Sequence, residues 1–309
     1  MGHGRWDASD WASYAARTTK GRAAHEIFAA RGMSSRFDPA SITVRESRDS
    51  PDNPASTAII LASDVTGSMG AIAEVMIRSG LDTTMREIHA RRPVTDPHVM
   101  VMAVGDAECD RAPLQATEFE ADVRLAEQLK ELWIEGGGGG NAGESYHLPW
   151  YFAAMQTSID CLEMRGRKGY LFTIGDEPIL GGITRRNLGR VLGKPVERDL
   201  SSAEMLAMAA RSYEVFHVLL TNVGYAASHP DEVMETWRPL LGQRVIACDD
   251  HTKIAEVIVS TIQVAEGADA RAVSGSWGGS TSATVARAVK SLAPVPPAKG
   301  QSLVHFFGR

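Results

Sequence analysis

Residues 57–70, TAIILASDVTGSMG, pass directly from an apolar run into an aspartate, two hydroxyl side chains and two glycines. The first seven residues are almost continuously apolar or β-branched, which is typical of a strand buried on both faces of a parallel sheet. The polar residues that follow stand at alternate positions, Asp64, Thr66 and Ser68. Three interpretations are open: ligands of a divalent cation, an aspartate that carries a phosphoryl group, or a cap of the next helix.

Similar apolar runs recur along the chain and alternate with helical patterns. Strands are predicted at 57–63, 98–105, 168–175, 214–221 and 243–248, and the run 114–119 is expected to pair as a hairpin with the second strand. Helices are predicted at 71–91, 121–133, 145–164, 201–211, 230–240 and 251–265. This alternation predicts an α/β fold with a doubly wound, mostly parallel sheet flanked by helices.

Composition divides the chain into three parts. Residues 1–54 have little periodicity and are predicted to form an N-terminal arm, with one helix within 11–30. Residues 55–266 carry the strand and helix pattern and form the predicted domain. Residues 267–309 are rich in glycine and serine and then in proline, so we expect a flexible C-terminal tail.

Polar residues also follow two other predicted strands. Asp106 follows the second strand within GDAECD, and Asp176 follows the strand at 168–175 within GDEP. A run of five glycines leads to Asn141 and Glu144, just before a predicted helix. Because parallel strands end at one edge of a sheet, where ligands of such folds bind, these residues are expected to converge with Asp64.

Together these motifs resemble a von Willebrand factor A (vWA) domain with its metal-ion-dependent adhesion site (MIDAS). The family's Asp-x-Ser-x-Ser motif corresponds to Asp64, Thr66 and Ser68, with threonine in place of the first serine. The family's later threonine falls at Asn141, where an amide oxygen replaces a hydroxyl, and its final aspartate falls at Asp176. The resemblance covers roughly residues 55–266 and is nearest to a bacterial and phage subgroup with an arm like VRESRDS.

The resemblance implies a protein-binding module rather than an enzyme. Mg²⁺ (or Mn²⁺) would be held by oxygen ligands, which these ions prefer, and a protein partner would supply a carboxylate to the metal. Asp106 and Glu144 would lie just behind the ligands, although Asp106 and Asp110 are equally well explained as solvated loop residues. Intracellular members of the family work beside AAA+ ATPases of the MoxR type, which makes such an ATPase a candidate partner by analogy.

An enzyme is the alternative that we carry forward. DVTGS also resembles the phosphorylated loop of haloacid-dehalogenase-type (HAD-like) phosphotransferases and phosphatases, in which Asp64 would be the nucleophile. Asp176 would then bind Mg²⁺, and Lys168 would have to serve as the family's lysine. The second acidic residue that this family places a few residues after its last motif is replaced here by Glu177, directly adjacent to Asp176.

Net charge, the length of the apolar runs and the cysteine content indicate which partners and which cellular compartment are expected. A net charge of -6 argues against nucleic-acid binding, and no stretch approaches the 18 consecutive apolar residues of a membrane span. Three widely spaced cysteines suit free thiols in a reducing compartment better than a disulfide framework. These features predict a cytoplasmic protein.

The last nine residues, QSLVHFFGR, carry apolar side chains at the end of the predicted flexible tail. Apolar side chains contribute favourable free energy only when they are removed from water, so we expect these residues to bind in a groove. Two interpretations are open: a peptide that docks on a partner protein, or a tip that folds back onto the surface of this chain.

Overall fold

A six-stranded sheet forms the centre of the computed structural model, which describes residues 4–65, 70–136 and 143–294. The strands of the described chain, numbered in order, are β1 (Arg45–Ser47), β2 (Thr57–Asp64), β3 (Pro97–Val104), β4 (Leu114–Ala116), β5 (Thr157–Ile159), β6 (Gly169–Gly175), β7 (Gly182–Ile183), β8 (Leu200–Ser201), β9 (Tyr213–Leu220) and β10 (Val245–Cys248).

The order of the central sheet is β10-β9-β6-β2-β3-β4. All neighbouring pairs are parallel except the last, in which β4 runs antiparallel to β3 as the predicted hairpin requires. The chain goes from β2 outward to β3 and β4 and then returns to β6 on the other side of β2. The topological switch point therefore lies between the carboxyl ends of β2 and β6. The predicted α/β class with a mostly parallel sheet is confirmed.

Helices cover both faces of the sheet. In the described chain they are α1 (Ala8–Thr18), α2 (Ala24–Ile27), α3 (Gly70–Val75), α4 (Leu81–Arg91), α5 (Arg124–Glu131), α6 (His147–Met155), α7 (Asp160–Glu163), α8 (Arg185–Leu192), α9 (Ser202–Ala209), α10 (Pro230–Leu241), α11 (Ile254–Ala265), α12 (Ala270–Gly275) and α13 (Gly279–Val289). A π-helical turn, Met76–Gly80, joins α3 to α4 without a break.

The alternating side chains of β2 separate two hydrophobic cores. Ile59 and Leu61 face a core that includes α4 and α11, whereas Ala58 and Ile60 face a second core that includes α6 and α9. Successive residues of a strand point to opposite faces, so a strand buried on both sides is apolar at most consecutive positions. This explains why the apolar run at 57–63 predicts the strand so well.

One predicted helix is wrong in its second half. The pattern at 145–164 predicts a single helix, but α6 ends at Met155 and β5 follows, paired in parallel with β1 of the N-terminal arm. The pairing sets Arg45 beside Thr157 and Ser47 beside Ile159. The three residues of β5 form a strand only because the distant segment β1 supplies their hydrogen-bond partners. The sequence around β5 therefore did not reveal it.

The N-terminal arm packs against the domain. The helix predicted within 11–30 is shorter than expected, since α1 ends at Thr18 and Gly21 then takes a positive φ of 72°. Trp11 and Tyr14 of α1 are buried in the core on the α4 side, and the Tyr14 hydroxyl donates to the carbonyl of Ala126 at 2.9 Å. The arm thus contributes side chains to the core of the sheet.

The flexible tail predicted from residue 267 needs correction over its first part. Helices α12 and α13 lie within residues 270–289, and Val273, Val285 and Val289 are buried in the same core as α11. The indole nitrogen of Trp277 donates to the Ser260 hydroxyl at 2.8 Å. The few apolar residues of this segment are spread among glycines and serines. They stabilise the two helices only because they pack against the core. Residues 295–309 lie outside the described part of the chain.

Within the residues that the structure describes, no helix combines the length and the apolar character needed to cross a bilayer.

Candidate metal centre

Asp64 and Asp176 lie side by side at the switch point of the sheet. Asp64 is the last residue of β2, and Asp176 directly follows β6, the parallel neighbour of β2. Ser63 pairs with Ile174 in the register of the two strands, so both aspartates follow within two residues of a paired position. Their side chains are 0% and 3% exposed. The sheet thus brings two buried carboxylates to the edge where ligands bind in such folds.

The backbone around Asp176 fixes the direction of its carboxylate. The amide N–H of Tyr225 donates to Asp176 Oδ2, and the N–H of Ala226 donates to the Asp176 carbonyl at 3.0 Å. Gly224, with a φ of 50°, passes so close that a Cβ there would lie 1.8 Å from Asp176 Oδ2. Only glycine tolerates both the positive φ and this approach. The loop after β9 therefore helps to hold the carboxylate in place.

Tyr146 is a further member of this site, which the sequence did not predict. Its hydroxyl donates to Asp64 Oδ2 at 3.1 Å, and its side chain is fully buried. A Cβ on Gly175 would lie 1.8 Å from the Tyr146 hydroxyl, so the end of β6 must be glycine for the ring to fit. The ring packs against His217 and Trp237, with centroids 5.3 and 5.2 Å away. An aromatic residue three positions after Gly143, at the end of the glycine-rich segment, was the available signal.

Asp106 organises the loop that follows β3. Its Oδ1 accepts the amide N–H of Glu108 at 3.1 Å and the hydroxyl of Ser145 at 3.2 Å, and its Oδ2 accepts the N–H of Cys109 at 3.2 Å. The N–H of Asp106 in turn donates to Asp110 Oδ2 at 2.6 Å. Asp106 is buried and joins this loop to the start of α6, so its carboxylate is held by hydrogen bonds and is not solvated.

Glu144 lies where the chain enters α6, with its side chain 3% exposed. Its N–H donates to the carbonyl of Pro178 at 3.0 Å, and its carbonyl accepts the N–H of Leu180 at 3.3 Å. A Cβ on Gly143 would come within 2.5 Å of the Pro178 carbonyl, so glycine is needed for this close approach. The segment ahead of α6 is thereby fastened to the loop that follows β6.

Negative charge accumulates around the Tyr146 ring. Burial raises the pKa of Tyr146 well above its usual value, and the charges of Asp64, Asp176, Glu144 and Glu177 add to this shift. Burial also raises the pKa of Asp176, against which the hydrogen bond from the N–H of Tyr225 acts. The pKa of Glu177 is raised by burial and then by its acidic neighbours. These three shifts share burial as their largest cause, and neighbouring carboxylates add to it for Tyr146 and Glu177.

The chemistry of the two central aspartates is compatible with a divalent cation. No lysine or arginine in the described chain forms an ion pair with Asp176. Carboxylate oxygens at a shared edge are the donors that Mg²⁺ and Mn²⁺ prefer. The described residues contain no group of three or more His, Cys, Asp or Glu side chains arranged to hold a metal ion. The predicted ligand set does not require one, since it combines two carboxylates with hydroxyl and amide oxygens.

The structure thus describes only part of the predicted site. Asp64 and Asp176 come together as expected, with Asp106 and Glu144 in the neighbouring loops. The other three predicted ligands, Thr66, Ser68 and Asn141, lie outside the described residues.

The histidines near this edge have structural roles. His217 is fully buried and stacks on Trp237 with 3.5 Å between ring centroids, and burial lowers its pKa well below the usual value. Burial also lowers the pKa of His147 to about 4, although the charge of Asp106 acts in the opposite direction. Both rings are therefore neutral at pH 7 and pack as part of the core.

No protein-family model matches this sequence, and a comparison with curated proteins finds no match either. Among solved structures, the pilus adhesin SpaC from Lactobacillus rhamnosus GG in its open conformation is similar over 67% of this chain and 30% of the adhesin, with a TM-score of 0.45 and 10% identity. A second form of that adhesin matches with a TM-score of 0.45 and 9% identity, over 68% of this chain and 31% of the adhesin.

A von Willebrand factor type A protein from Catenulispora acidiphila is similar over 70% of this chain and 44% of that chain, with a TM-score of 0.37 and 15% identity. This chain thus spans less than half the length of each of these proteins.

Proposed function

We propose that this chain is a divalent-metal-dependent protein-binding module of the MIDAS type. One observation carries the proposal: Asp64 and Asp176 are buried carboxylates that meet at the switch point of a parallel sheet. Burying ionised carboxylates is costly unless a positive charge or enough hydrogen-bond donors compensate them. A cation at this edge would add to the hydrogen bonds that Tyr146 and the Tyr225 N–H already donate to these carboxylates.

The proposed ligands are Asp64, Thr66, Ser68, Asn141 and Asp176. All five offer oxygen atoms, and only two of them carry a charge, which suits Mg²⁺ or Mn²⁺ and leaves the ion incompletely satisfied. When bound, the ion would offer an open coordination position to a carboxylate of a partner protein. In this arrangement Tyr146 and Asp106 position the ligands, because the first donates to Asp64 and the second ties the loop after β3 to α6.

The enzyme alternative lacks its lysine at this edge. Lys168 directly precedes β6 and pairs with Glu214 at 3.4 Å, whereas Asp64 ends the neighbouring strand β2. A strand rises about 3.3 Å per residue, so the seven residues of β6 separate Lys168 from this edge by roughly 20 Å. Lys168 is therefore too far from Asp64 to stabilise the charge of a phosphoaspartate formed there. This distance favours the binding module over the HAD-like phosphotransferase.

We further propose that the protein acts in the cytoplasm, in an intracellular multiprotein system, with a MoxR-type AAA+ ATPase as a candidate partner by analogy with vWA proteins. Three free thiols support a reducing compartment: Cys109 is exposed, while Cys161 and Cys248 are buried. The partner's contribution would be a carboxylate, because the proposed site already carries its hydroxyl and amide donors.

Binding of Mn²⁺ to the purified chain, measured by calorimetry and by electron paramagnetic resonance, tests the proposal directly. We expect one bound ion per chain, lost in Asp64→Asn and in Asp176→Asn. Glu235→Gln, which removes an exposed carboxylate from α10, is the matched control and should bind normally. Equal binding by all four proteins, or none by the unaltered chain, would contradict the metal site.

The same variants separate binding from catalysis. With Mg²⁺ and para-nitrophenyl phosphate we expect no turnover, and mass spectrometry should find no phosphoaspartate at Asp64. Metal-dependent hydrolysis that Asp64→Asn abolishes and Glu235→Gln preserves would establish the phosphotransferase instead.

A further inference from the structure

A cavity of about 1070 Å³ opens at the amino-terminal edge of the central sheet, opposite to Asp64 and Asp176. It lies between the starts of β6 and β9 and the ends of α7, α9, α10 and α11. Pockets of roughly 300–1,000 Å³ bury most of the surface of a bound ligand, so this volume is sufficient for several side chains. Its apolar wall consists of Leu162, Tyr170, Leu206, Val215, Leu240 and Leu241.

The charged side chains that line this cavity are already paired with one another. Glu214 accepts Arg244 at 2.6 Å and Lys168 at 3.4 Å, and Arg167 pairs with Glu266 at 2.6 Å. An occupant would gain little by bringing a further charge, because each charge there already has an opposite partner. The favourable contribution would come from apolar surface that leaves water.

The chain itself leads an apolar segment to this place. Pro294, the last residue that the structure describes, lines the cavity. Residues 303–307, LVHFF, begin nine residues further on. An extended chain spans about 3.3 Å per residue, so this linker reaches up to roughly 30 Å from Pro294. The segment can therefore reach the cavity with no change in the described fold.

We propose that residues 303–307 occupy this cavity, with Phe306 and Phe307 against its apolar wall. A short tether keeps the segment at an effective concentration on the order of millimolar, which favours it over a second copy or a free peptide of similar affinity. Two prolines in the linker, at 296 and 297, reduce the entropy that docking costs. The proposed metal centre lies at the other edge of the sheet and remains accessible when the segment is docked.

Hydrogen–deuterium exchange of the full chain tests this proposal. We expect residues 301–309 to exchange at least about ten times more slowly than the free peptide QSLVHFFGR. Docked amides can exchange only when the segment leaves the cavity. Leu240→Glu in the wall should abolish the protection. The matched control is Met155→Glu, which changes an apolar side chain that is 54% exposed and lies outside the cavity lining, and it should leave the protection intact.

A double variant in the tip, Phe306→Ala with Phe307→Ala, makes the test independent of any damage to the wall. It should abolish the protection of the tip and speed exchange at residues 162–170. Exchange of residues 301–309 at the rate of the free peptide in the unaltered chain would overturn the proposal. So would protection that survives the tip variant, or protection that appears only at concentrations where light scattering detects a dimer.

Discussion

The two edges of the central sheet differ in whether a buried carboxylate is paired with cations of the same chain. At the amino-terminal edge, Glu214 is 8% exposed and lies between two cations, Lys168 and Arg244. At the carboxyl edge, Asp176 is 3% exposed and accepts a backbone N–H, but no lysine or arginine in the described chain pairs with it. Both edges belong to the same strands and contribute to the same fold.

The two edges differ in whether a cation of the chain pairs with the buried carboxylate. An ion pair that is complete within the chain needs no further charge, and removing its cations leaves a buried charge uncompensated. At the other edge, burial raises the pKa of Asp176, and perturbed carboxylates of this kind are found at binding sites as well as in structural networks. The comparison predicts that removing charge will have opposite consequences at the two edges.

The largest effect is expected from removing both cations at the amino-terminal edge. Lys168→Met with Arg244→Met would leave Glu214 buried without a positive partner, and we expect the free energy of unfolding to fall by about 3 kcal/mol. Urea denaturation measures the change, with Arg238→Met on the exposed side of α10 as the control. A loss of less than about 0.5 kcal/mol would show that these ion pairs are no more than surface pairs.

The next largest effect concerns pH at the carboxyl edge. Burial holds the folded-state pKa of His147 at about 4, below an unfolded value near 6.5, so the unfolded chain binds more protons between these values. The contribution of the neutral His147 side chain to the free energy of unfolding is therefore present above pH 6.5 and is lost as the pH falls towards 4. From pH 7 to pH 5 the loss should be about 2 kcal/mol. His147→Asn removes this titration, so the difference between its pH profile and that of the unaltered chain isolates the effect.

Metal binding should stabilise the fold by a smaller amount. A ligand that binds only the native state contributes RT ln(1 + [L]/Kd), which is about 1.4 kcal/mol at ten times Kd. Thermal melts in EDTA and in Mg²⁺ should show a rise in Tm for the unaltered chain and for Glu235→Gln, and none for Asp64→Asn. Identical midpoints with and without metal, after the endogenous ion has been removed, would leave the carboxyl edge without its proposed role.

The smallest effect is expected for Asp176→Asn in EDTA. The amide oxygen of asparagine still accepts the N–H of Tyr225, and the cost of burying a charge is removed, so the free energy of unfolding should change by no more than about 0.5 kcal/mol or should rise. Glu214→Gln, the corresponding change at the other edge, should instead lower it, because two cations lose their partner. A similar loss for both variants in urea denaturation would erase the distinction between the edges.

The sequence predicted the sheet and the edge that carries the two aspartates because both leave local patterns. Strands buried on two faces are apolar at most positions, as 57–63 and 214–221 are. Aspartates that directly follow two such runs are placed at one edge by the rule for parallel sheets, and Asp64 and Asp176 do meet there.

The features that the sequence did not reveal depend on distant partners. β5 exists because the N-terminal arm supplies β1 beside it, and α13 is stable because Val285 and Val289 meet the surface of α11. Tyr146 belongs to the site only because Gly175 leaves room for its hydroxyl next to Asp64. None of these conditions is visible within a window of neighbouring residues.

The sequence by itself therefore determined the class of fold, the positions of the main strands along the chain and the edge at which two aspartates meet. These follow from periodicity and from the geometry of parallel sheets, which are properties of short segments. Only the tertiary structure decided which carboxylates are neutralised within the chain and which are not. That decision depends on how far each carboxylate lies from cations that are remote in sequence: Glu214 has Lys168 and Arg244 within 4 Å, whereas Asp176 has no such cation in the described chain.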